Sequence, residues 1–342
     1  MQANRQSTLF NYVFGIKSRI MKNIKTNYFT LFMVFTCYFS NAQFVKKHGQ
    51  LSVQGTQLVD KNQKPIVLRG VSLGWHSMWP RFYNEKAVSW LTKDFKCSVV
   101  RAAMGIEAGA HSYIKEPEFS KDKIESVIKG AIKSDIYVIV DWHSHNINLK
   151  EATAYFDEIS KKYGKYPNVI YEVFNEPDCE TWSEVKAYSE AIIKVIRAND
   201  PDNIILVGSP RWDQDVHLPA ADPIKGYDNL MYTMHFYAAT HKKELRDRTD
   251  EALKRGLPIF ISESAGMEAT GDGPMDYKSW QEYIDWMEER KISWIIWSIS
   301  DKDETCSMLK KSANSEGKWK DEDLKESGLK TREYLRKYNS KQ

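Results

Sequence analysis

The first 42 residues of this 342-residue chain contain no acidic side chain, although they carry five basic ones, Arg5, Lys17, Arg19, Lys22 and Lys25. The formal net charge of +3 therefore misrepresents the rest of the chain. Without these five residues, 44 basic groups face 46 acidic ones, which is a net charge of −2. A nucleic-acid-binding protein needs a basic surface to neutralise phosphates. This charge balance excludes nucleic acid as an expected partner.

The acid-free segment is typical of a secretory leader. A short basic stretch at 21–25 precedes an apolar run at 28–39, which is too short to span a bilayer comfortably. Small residues at 40–42 then offer a cleavage site. We expect translation to start at Met21 and residues 1–42 to be a leader. The mature protein is then secreted and free of the membrane.

Two other interpretations of this segment stay open. An uncleaved apolar run would act as a membrane anchor. A lipid anchor at Cys37 fits less well, because Phe35 and Thr36 precede it where small residues are expected.

Cysteine is scarce, with four in the whole chain. The mature part keeps Cys97, Cys179 and Cys306, which allows at most one intramolecular disulfide and leaves one free thiol. Cys97 lies at the head of a predicted buried strand and is expected to be inert core. The sequence does not decide whether Cys179 pairs with Cys306.

No glycine-rich fingerprint follows the first predicted strand, and neither a Ser- or Pro-rich linker nor a low-complexity tract divides the chain. The first absence disfavours a doubly wound dinucleotide-binding sheet. The others favour a single domain.

Eight units of a strand and a crossover follow one another in an unbroken series, and an irregular stretch stands in place of a long helix after the fifth strand. The strands are near-continuous apolar runs, as strands covered on both faces require, and are predicted at 66–72, 98–104, 137–142, 168–174, 203–208, 229–237, 257–262 and 293–299. Helices are predicted at 85–96, 121–134, 149–163, 181–198, 242–255, 276–290 and 321–338. This series predicts an α/β fold, a (β/α)8 TIM barrel, preceded by a short β-hairpin with its turn at Asp60–Lys64.

Polar side chains gather where the predicted strands end, which is the active face of such a barrel. Asn175 and Glu176 end the fourth barrel strand, and Glu263 ends the seventh. A chargeable group at the tip of a buried strand is costly. Two carboxyls across a common gap are the equipment for cleaving a glycosidic bond, since one protonates the leaving oxygen and the other attacks the anomeric carbon when configuration is retained.

The chain resembles the glycoside hydrolases of family 5, and most of all their bacterial endo-β-1,4-glucanases, or cellulases. The segments that carry the resemblance run in family order: GQLSVQGTQLVD, LRGVS, VVRAAM, YVIVDWHSHN, VIYEVFNEP, MHFYA, ISES and WIIWSISDKDE. The Asn-Glu-Pro triplet alone is unspecific, but the ordered set is not. The resemblance implies a catalytic domain at 43–342 that hydrolyses β-1,4-glucan by double displacement, as a monomer without cofactor or metal.

The resemblance also implies a role for each matching residue. Glu176 corresponds to the acid/base, with a raised pKa, and Glu263 to the nucleophile, which Arg101 and Tyr237 would hold ionised and aimed. The remaining substrate contacts would be Asn175 to the sugar 2-hydroxyl, His143 and His235 to other hydroxyls or to the acid/base, Trp297 as the aromatic floor, Lys302 and Glu304 to the next sugar, and Trp75 or Trp79 to a more distant one.

Two positions depart from the family pattern. Ser264 and Ala265 follow the nucleophile, where the family usually has an aromatic residue and then glycine. Gly105 stands where some relatives carry tyrosine. We expect these changes to affect the cleft wall rather than the carboxylates.

Several residues also have a purely structural interpretation. Arg101 could pair with Glu172 inside the barrel, Asp141 is expected to be a hydrogen-bond acceptor, and His145 a solvated loop residue. The His143-x-His145 spacing resembles a metal site, but no further ligand cluster follows the other predicted strands.

Two functional alternatives remain. The same chemistry could act on another β-glycan, such as mixed-linkage glucan, xyloglucan, mannan or xylan. A glycan-binding protein that lost turnover is the second alternative, and the residues after Glu263 are the one feature in its favour.

Overall fold

The computed structural model describes residues 44–340. A two-stranded antiparallel hairpin, β1 (Ser52–Gln54) and β2 (Gln57–Val59), precedes the eight strands of a second sheet. These are β3 (Arg69–Leu73), β4 (Val99–Gly105), β5 (Tyr137–His143), β6 (Val169–Glu172), β7 (Ile205–Val207), β8 (Leu230–Tyr237), β9 (Ile259–Ala265) and β10 (Trp294–Ile299). They pair in parallel in chain order, and β10 closes on β3. The predicted (β/α)8 barrel with its N-terminal hairpin is confirmed.

Helices connect the strands around the outside. They are α1 (Phe44–His48), α2 (Glu85–Trp90), α3 (Pro117–Ser134), α4 (Leu149–Tyr163), α5 (Trp182–Asn199), the one-turn α6 (Pro210–Asp213), α7 (His217–Ala221), α8 (Lys243–Lys254), α9 (Tyr277–Arg290) and α10 (Glu326–Asn339). A π-helix (Leu91–Phe95) continues α2, and 3₁₀ turns lie at Pro80–Phe82 and Asp321–Asp323. Within 44–340, no helix combines the length and the apolar character needed to cross a membrane.

The structure corrects the predicted hairpin turn. The strands that pair flank Gly55 and Thr56, and Gly55 has a φ of 60°, a left-handed conformation that glycine adopts without strain. The predicted turn at Asp60–Lys64 is real but closes only a single bridge between Val59 and Pro65. The polar run at 60–64 is the longer turn signal in the sequence, so it was preferred over the two-residue turn at Gly55 and Thr56.

The barrel interior changes character along its axis. Successive side chains of a strand point to opposite faces, so alternate residues point inward. Near the amino ends of the strands, the inward residues form one apolar cluster that includes Val99, Ile139, Ile170, Phe260 and Ile295. Two positions further along the same strands stand Arg101, Asp141, Glu172, Ser262 and Trp297. The same alternation that builds the core therefore delivers polar groups to the carboxyl end.

The hairpin closes the opposite end. Leu51 and Leu58 are buried in the apolar cluster at the amino ends of the strands, with Val53 packed against it. This end of the barrel is therefore sealed by hydrophobic contacts, and the polar face is left as the accessible one.

The three cysteines of the described residues are free, so Cys179 and Cys306 do not pair in this structure. Cys97 is buried, as expected, and burial raises the pKa of its thiol. The predicted leader, the start at Met21 and the weighed lipid site at Cys37 lie outside the described residues.

Candidate active site

Glu263 lies near the end of β9 and is held by two donors. Arg101 Nη1 is 3.0 Å from its Oε2, and the Tyr237 hydroxyl donates to its Oε1 at 2.7 Å. Burial, followed by the negative charge of Glu263, raises the pKa of Tyr237 well above its ordinary value, so the phenol stays a donor. Both hydrogen bonds expected for this carboxylate are present.

Arg101 is fully buried and bonds more than one carboxylate. Its Nε is 2.7 Å from Glu172 Oε2, and its Nη2 is 3.0 Å from Asp141 Oδ2. The structural alternative, an ion pair with Glu172, is therefore also correct, because one guanidinium serves both partners. Its five donors in a fixed fork allow this. Burial opposes ionisation of Glu172, but Arg101 and His235 together outweigh it and lower the pKa of Glu172 to about 2.

Asn175 is oriented by the same guanidinium. Arg101 Nη2 donates to Asn175 Oδ1 at 2.6 Å, which turns the amide nitrogen the other way. That nitrogen is buried and has no hydrogen-bond partner in the structure. Since buried polar groups are rarely left unpaired, its position suits an acceptor on a bound ligand.

Glu176 follows β6, with its backbone nitrogen 3.2 Å from the Ser144 carbonyl. Its Oε1 is 2.9 Å from His235 Nδ1, and its Oε2 is 3.8 Å from His145 Nδ1. The predicted raised pKa is wrong for this state. Burial acts to raise the pKa of Glu176, but the hydrogen bond and positive charge of His235 outweigh it, so the pKa lies below its ordinary value.

The two glutamates share one gap. One carboxylate oxygen of Glu176, one of Glu263 and one ring nitrogen of His235 all lie within 4.8 Å of one another. A second such set joins Glu172, Asp213 and His235. The members of both sets are hydrogen-bonded to one another, to Arg101 or to Tyr237. This is the pattern of a network that shares protons, and we assign no metal to either set.

His143 contributes a neutral ring. Burial lowers its pKa to about 3. Its Nδ1 is 2.7 Å from Asp141 Oδ2, so Nδ1 carries the hydrogen, Nε2 is an acceptor, and Asp141 is the structural acceptor that was expected. The ring stacks on Trp297 at 5.2 Å between centroids and 10° between planes. His143 and Trp297 therefore form one rigid wall of the cleft.

The remaining predicted residues spread outward from this centre. Lys302 bonds Glu304 at the exposed rim after β10. Trp79 packs against the main barrel core. Trp75 instead packs on the cleft cluster that contains Trp297, with its ring 4.9 Å from His143. Of the two tryptophans considered for a distant sugar, Trp75 is the one beside the site.

Three residues at the site were missed or misjudged from sequence. His145 was expected to be solvated but faces Glu176. Trp212 is 45% exposed, and its backbone nitrogen donates to the Pro177 carbonyl at 2.9 Å, next to Glu176. Asp213 is buried beside His235. In the sequence, an aromatic residue and an acid do stand shortly after the fifth predicted barrel strand, as they do after other strands. The prediction of an irregular stretch there did not include them in the site.

The residues that depart from the family pattern are accommodated by their neighbours in the structure. Ser264 is buried and donates to the Ile295 carbonyl of β10 at 2.8 Å, pointing away from the glutamates. Ala265 packs in the cluster with Trp297. A Cβ on Gly105 would come within 2.6 Å of Ser77 Oγ, so the loop before α2 fills the space a side chain would need.

Comparison with known proteins identifies relatives of the whole barrel. The family model for cellulase (glycosyl hydrolase family 5) matches residues 59–303. An endoglucanase from Clostridium saccharobutylicum is 41% identical over 82% of this chain and 64% of its own length. Endoglucanase A from Evansella cellulosilytica is 44% identical over 80% of this chain and 57% of its own length. The chain thus spans about three-fifths of these two relatives.

Solved structures agree with this. A structure from Cytophaga hutchinsonii superposes with a TM-score of 0.85 at 42% identity, covering 87% of this chain and 97% of that one. A variant of the catalytic domain of Thermobifida fusca endoglucanase Cel5A, in complex with cellotetraose, superposes with a TM-score of 0.80 at 33% identity, covering 85% and 99%. The chain belongs to the cellulase family, glycosyl hydrolase family 5.

Proposed function

We propose that this protein is a retaining endo-β-1,4-glucanase with Glu263 as nucleophile and Glu176 as acid/base. The observation that carries the proposal is the approach of the two carboxylates to within 4.8 Å. Retaining glycosidases hold their carboxyls about 5–5.5 Å apart, whereas inverting ones need about 6.5–9.5 Å to admit a water. The close approach of one oxygen from each carboxylate fits the shorter separation of a retaining enzyme better than the longer one of an inverting enzyme.

In the first step, Glu263 attacks the anomeric carbon while Glu176 protonates the departing oxygen. The attack needs an ionised and fixed carboxylate, which Arg101 and Tyr237 support from two directions. The bond from carbon to the leaving oxygen breaks as the bond to Glu263 forms. The result is a glycosyl ester and a shortened glucan.

In the second step, Glu176 takes a proton from a water whose oxygen attacks the anomeric carbon, and the ester bond to Glu263 breaks. The negative charge of Glu263 favours a proton on Glu176 until the ester forms, and that charge then disappears. Glu176 consequently becomes more acidic at the stage when it must accept a proton. In the free enzyme, His235 keeps Glu176 mostly ionised, so a bound glucan must displace water from Glu176 to favour its acid form.

The sugar at the cleavage point would be oriented by the fixed polar groups. The unpaired amide nitrogen of Asn175 would donate to the 2-hydroxyl, a contact that can strengthen in the transition state. Nε2 of the neutral His143 would accept from another hydroxyl. Trp297 would lie under the apolar face of the ring.

Trp212 is an exposed aromatic residue whose backbone nitrogen bonds the carbonyl of Pro177, the residue after Glu176. Exposed aromatic faces of this kind suit stacking against a glucose ring, so Trp212 would bind a sugar on the leaving side. The endoglucanase names of the relatives and the cellotetraose in the Thermobifida fusca complex support a β-1,4-glucan as substrate.

The test is reducing-sugar release from carboxymethyl cellulose, barley β-glucan, glucomannan and xylan, with Glu263→Gln as the matched control. Activity on the glucans that disappears in the variant supports the proposal. Activity only on mannan or xylan would keep the chemistry and replace the substrate. Proton NMR of the first product decides stereochemistry, because a retaining enzyme releases the β-anomer before mutarotation.

A non-catalytic role loses its main support. It rested on Ser264 and Ala265, but the Ser264 side chain points at β10 and not into the cleft. Tight binding of cellooligosaccharides by a wild-type protein that releases no sugar would nevertheless restore it.

A further inference from the structure

We propose that Asp213 is a positioning residue for the acid/base: Asp213, His235 and Glu176 form a chain of three titratable groups that holds the proton used on the leaving oxygen. This inference deepens the proposed function and rests on it for the role of Glu176. The sequence resemblance gave Asp213 no role.

His235 stands between two carboxyls. Its Nδ1 is 2.9 Å from Glu176 Oε1, and its Nε2 is 3.3 Å from Asp213 Oδ2 and 2.8 Å from Ser262 Oγ. A neutral imidazole can donate from only one nitrogen, whereas an imidazolium donates from both. Acceptors on both edges therefore favour the charged ring. Burial opposes that charge, but Asp213, Glu172 and Glu176 together outweigh it, and the pKa of His235 lies well above its ordinary value.

The position of Asp213 is set by an unusual turn. Arg211, Trp212 and Asp213 all have left-handed backbones, with φ of 57°, 52° and 58°. Such conformations are uncommon for residues with side chains and cluster at functional sites. Asp213 Oδ1 accepts from the Ser209 nitrogen at 2.6 Å and stabilises the turn. A capping role would need only this oxygen.

The second oxygen has a different task. Asp213 Oδ2 accepts from Thr233 Oγ1 and faces His235 Nε2. The carboxyl is completely buried. Burial raises the pKa of Asp213 well above its ordinary value, although His235 acts to lower it. A serine or asparagine could cap the turn equally well, but neither would place an ionisable carboxyl beside the imidazole.

Other charged groups surround the three titratable residues, and all of them are still present in an Asp213 variant. Glu172 Oε1 is 3.9 Å from His235 Nε2 and contributes to the raised pKa of His235, while Arg101 Nε is 2.7 Å from the other oxygen of Glu172. His145 faces the far oxygen of Glu176 at 3.8 Å. The more distant titratable groups that act on Glu176, His235 or their neighbours are His143, His241, Glu263 and Asp141.

The consequence is a defined direction of change. A negative charge next to a group of titrating side chains raises their combined affinity for protons. Removing the Asp213 carboxyl lowers that affinity, wherever the proton resides within the chain. The basic limb of the activity profile reports loss of the acid's proton and should move to lower pH.

The experiment compares wild type with Asp213→Asn, which keeps the shape and an oxygen for the Ser209 nitrogen. The basic limb of the pH profile of kcat/KM on soluble β-glucan should move by about one pH unit or more to lower pH, since a charge at this distance shifts a pKa by about 1–3 units. Ser262→Ala removes the neutral partner of the same ring nitrogen and should leave that limb within a few tenths of a unit.

Imidazole NMR provides the readout that does not depend on turnover. In wild type, His235 should stay protonated at least about one unit above the ordinary His pKa of about 6.5. In Asp213→Asn it should titrate at least about one unit lower than in wild type. A wild-type His235 that titrates at or below the ordinary value overturns the proposal even if the variant fails to fold.

The outcomes separate the two proposals. An enzyme without glucanase activity whose His235 still responds to Asp213→Asn would refute the proposed function and leave the proton chain intact. An active enzyme with equal basic limbs and equal His235 titration in both proteins would refute the chain alone.

Discussion

The two sides of the cleft hold their carboxylates by different means. Glu263 is bonded by a guanidinium and a phenol, neither of which changes protonation in the working range of an enzyme. Glu176 is bonded by an imidazole, which does. A nucleophile needs a constant charge, whereas an acid/base must lose and regain a proton in each turnover. The difference between permanent and titratable partners therefore predicts which glutamate has which role.

The sharpest test of this comparison is to neutralise each carboxylate in turn. Glu263→Gln should lose activity by a factor on the order of ten thousand or more on every substrate, because no ester can form. Glu176→Gln should lose about a hundred- to ten-thousandfold on glucans. On an aryl cellobioside with an acidic leaving group it should show a burst, since bond cleavage there needs no proton. A burst from the Glu263 variant would reverse the assignment.

The permanent side depends on Arg101, so its removal should be the most destabilising single change. Arg101→Met leaves Asp141, Glu172 and Glu263 without their buried cation and should lower the free energy of unfolding by about 3–5 kcal/mol. Denaturant titration measures this. Arg101→Lys is the control and should recover only part of the loss, because an ammonium lacks the planar fork.

Tyr237 tests the second donor on the same side. Tyr237→Phe removes one hydrogen bond to a charged acceptor, worth about 1.5–3 kcal/mol, and should reduce kcat/KM by about 10- to 100-fold. The basic limb of the pH profile should stay in place, since the phenol does not touch Glu176. A shift of that limb would mean that the hydrogen bonds of Glu263 also influence the proton of Glu176.

The Arg101–Glu172 pair predicts how stability depends on pH. The pKa of Glu172 is lowered to about 2 from an ordinary value of 4.5. Its stabilisation is therefore complete above about pH 4.5 and is lost as the pH falls toward about 2. The difference in unfolding free energy between wild type and Glu172→Gln should accordingly be larger at pH 7 than at pH 2.5.

The smallest effect is expected at Ser264. Ser264→Ala removes a buried hydrogen bond to the Ile295 carbonyl and should cost about 1 kcal/mol of stability. It should leave kcat/KM within about twofold, because the side chain faces away from both glutamates. A large loss of activity at unchanged stability would return Ser264 to the cleft wall.

The sequence predicted best what periodicity and strand ends encode. Apolar runs predicted all eight barrel strands, and the bounds of the helix at 149–163 agree with α4. Glu176 and Glu263 follow such runs directly, so the fold alone brings them together. The hairpin turn, by contrast, depended on a single glycine, Gly55, beside a longer polar stretch.

What sequence missed depends on backbone detail. Asp213 reaches His235 through three consecutive left-handed residues, Arg211 to Asp213, a conformation that no residue preference there indicates. The lowered pKa of Glu176 depends on the hydrogen bond and charge of His235, which faces it from β8. Both are products of packing between different strands, and local pattern does not contain them.

The exposed thiol of Cys179 makes the acid/base loop chemically addressable. Within residues 44–340, the other two cysteines are buried, and burial raises the pKa of Cys306 to about 12, so neither competes for a reagent. Cys179 lies three residues after Glu176, between β6 and α5. A fluorophore attached there through a maleimide would sit on the loop that carries Glu176. Binding and release of a glucan could then be followed in real time on a protein whose glutamates are untouched.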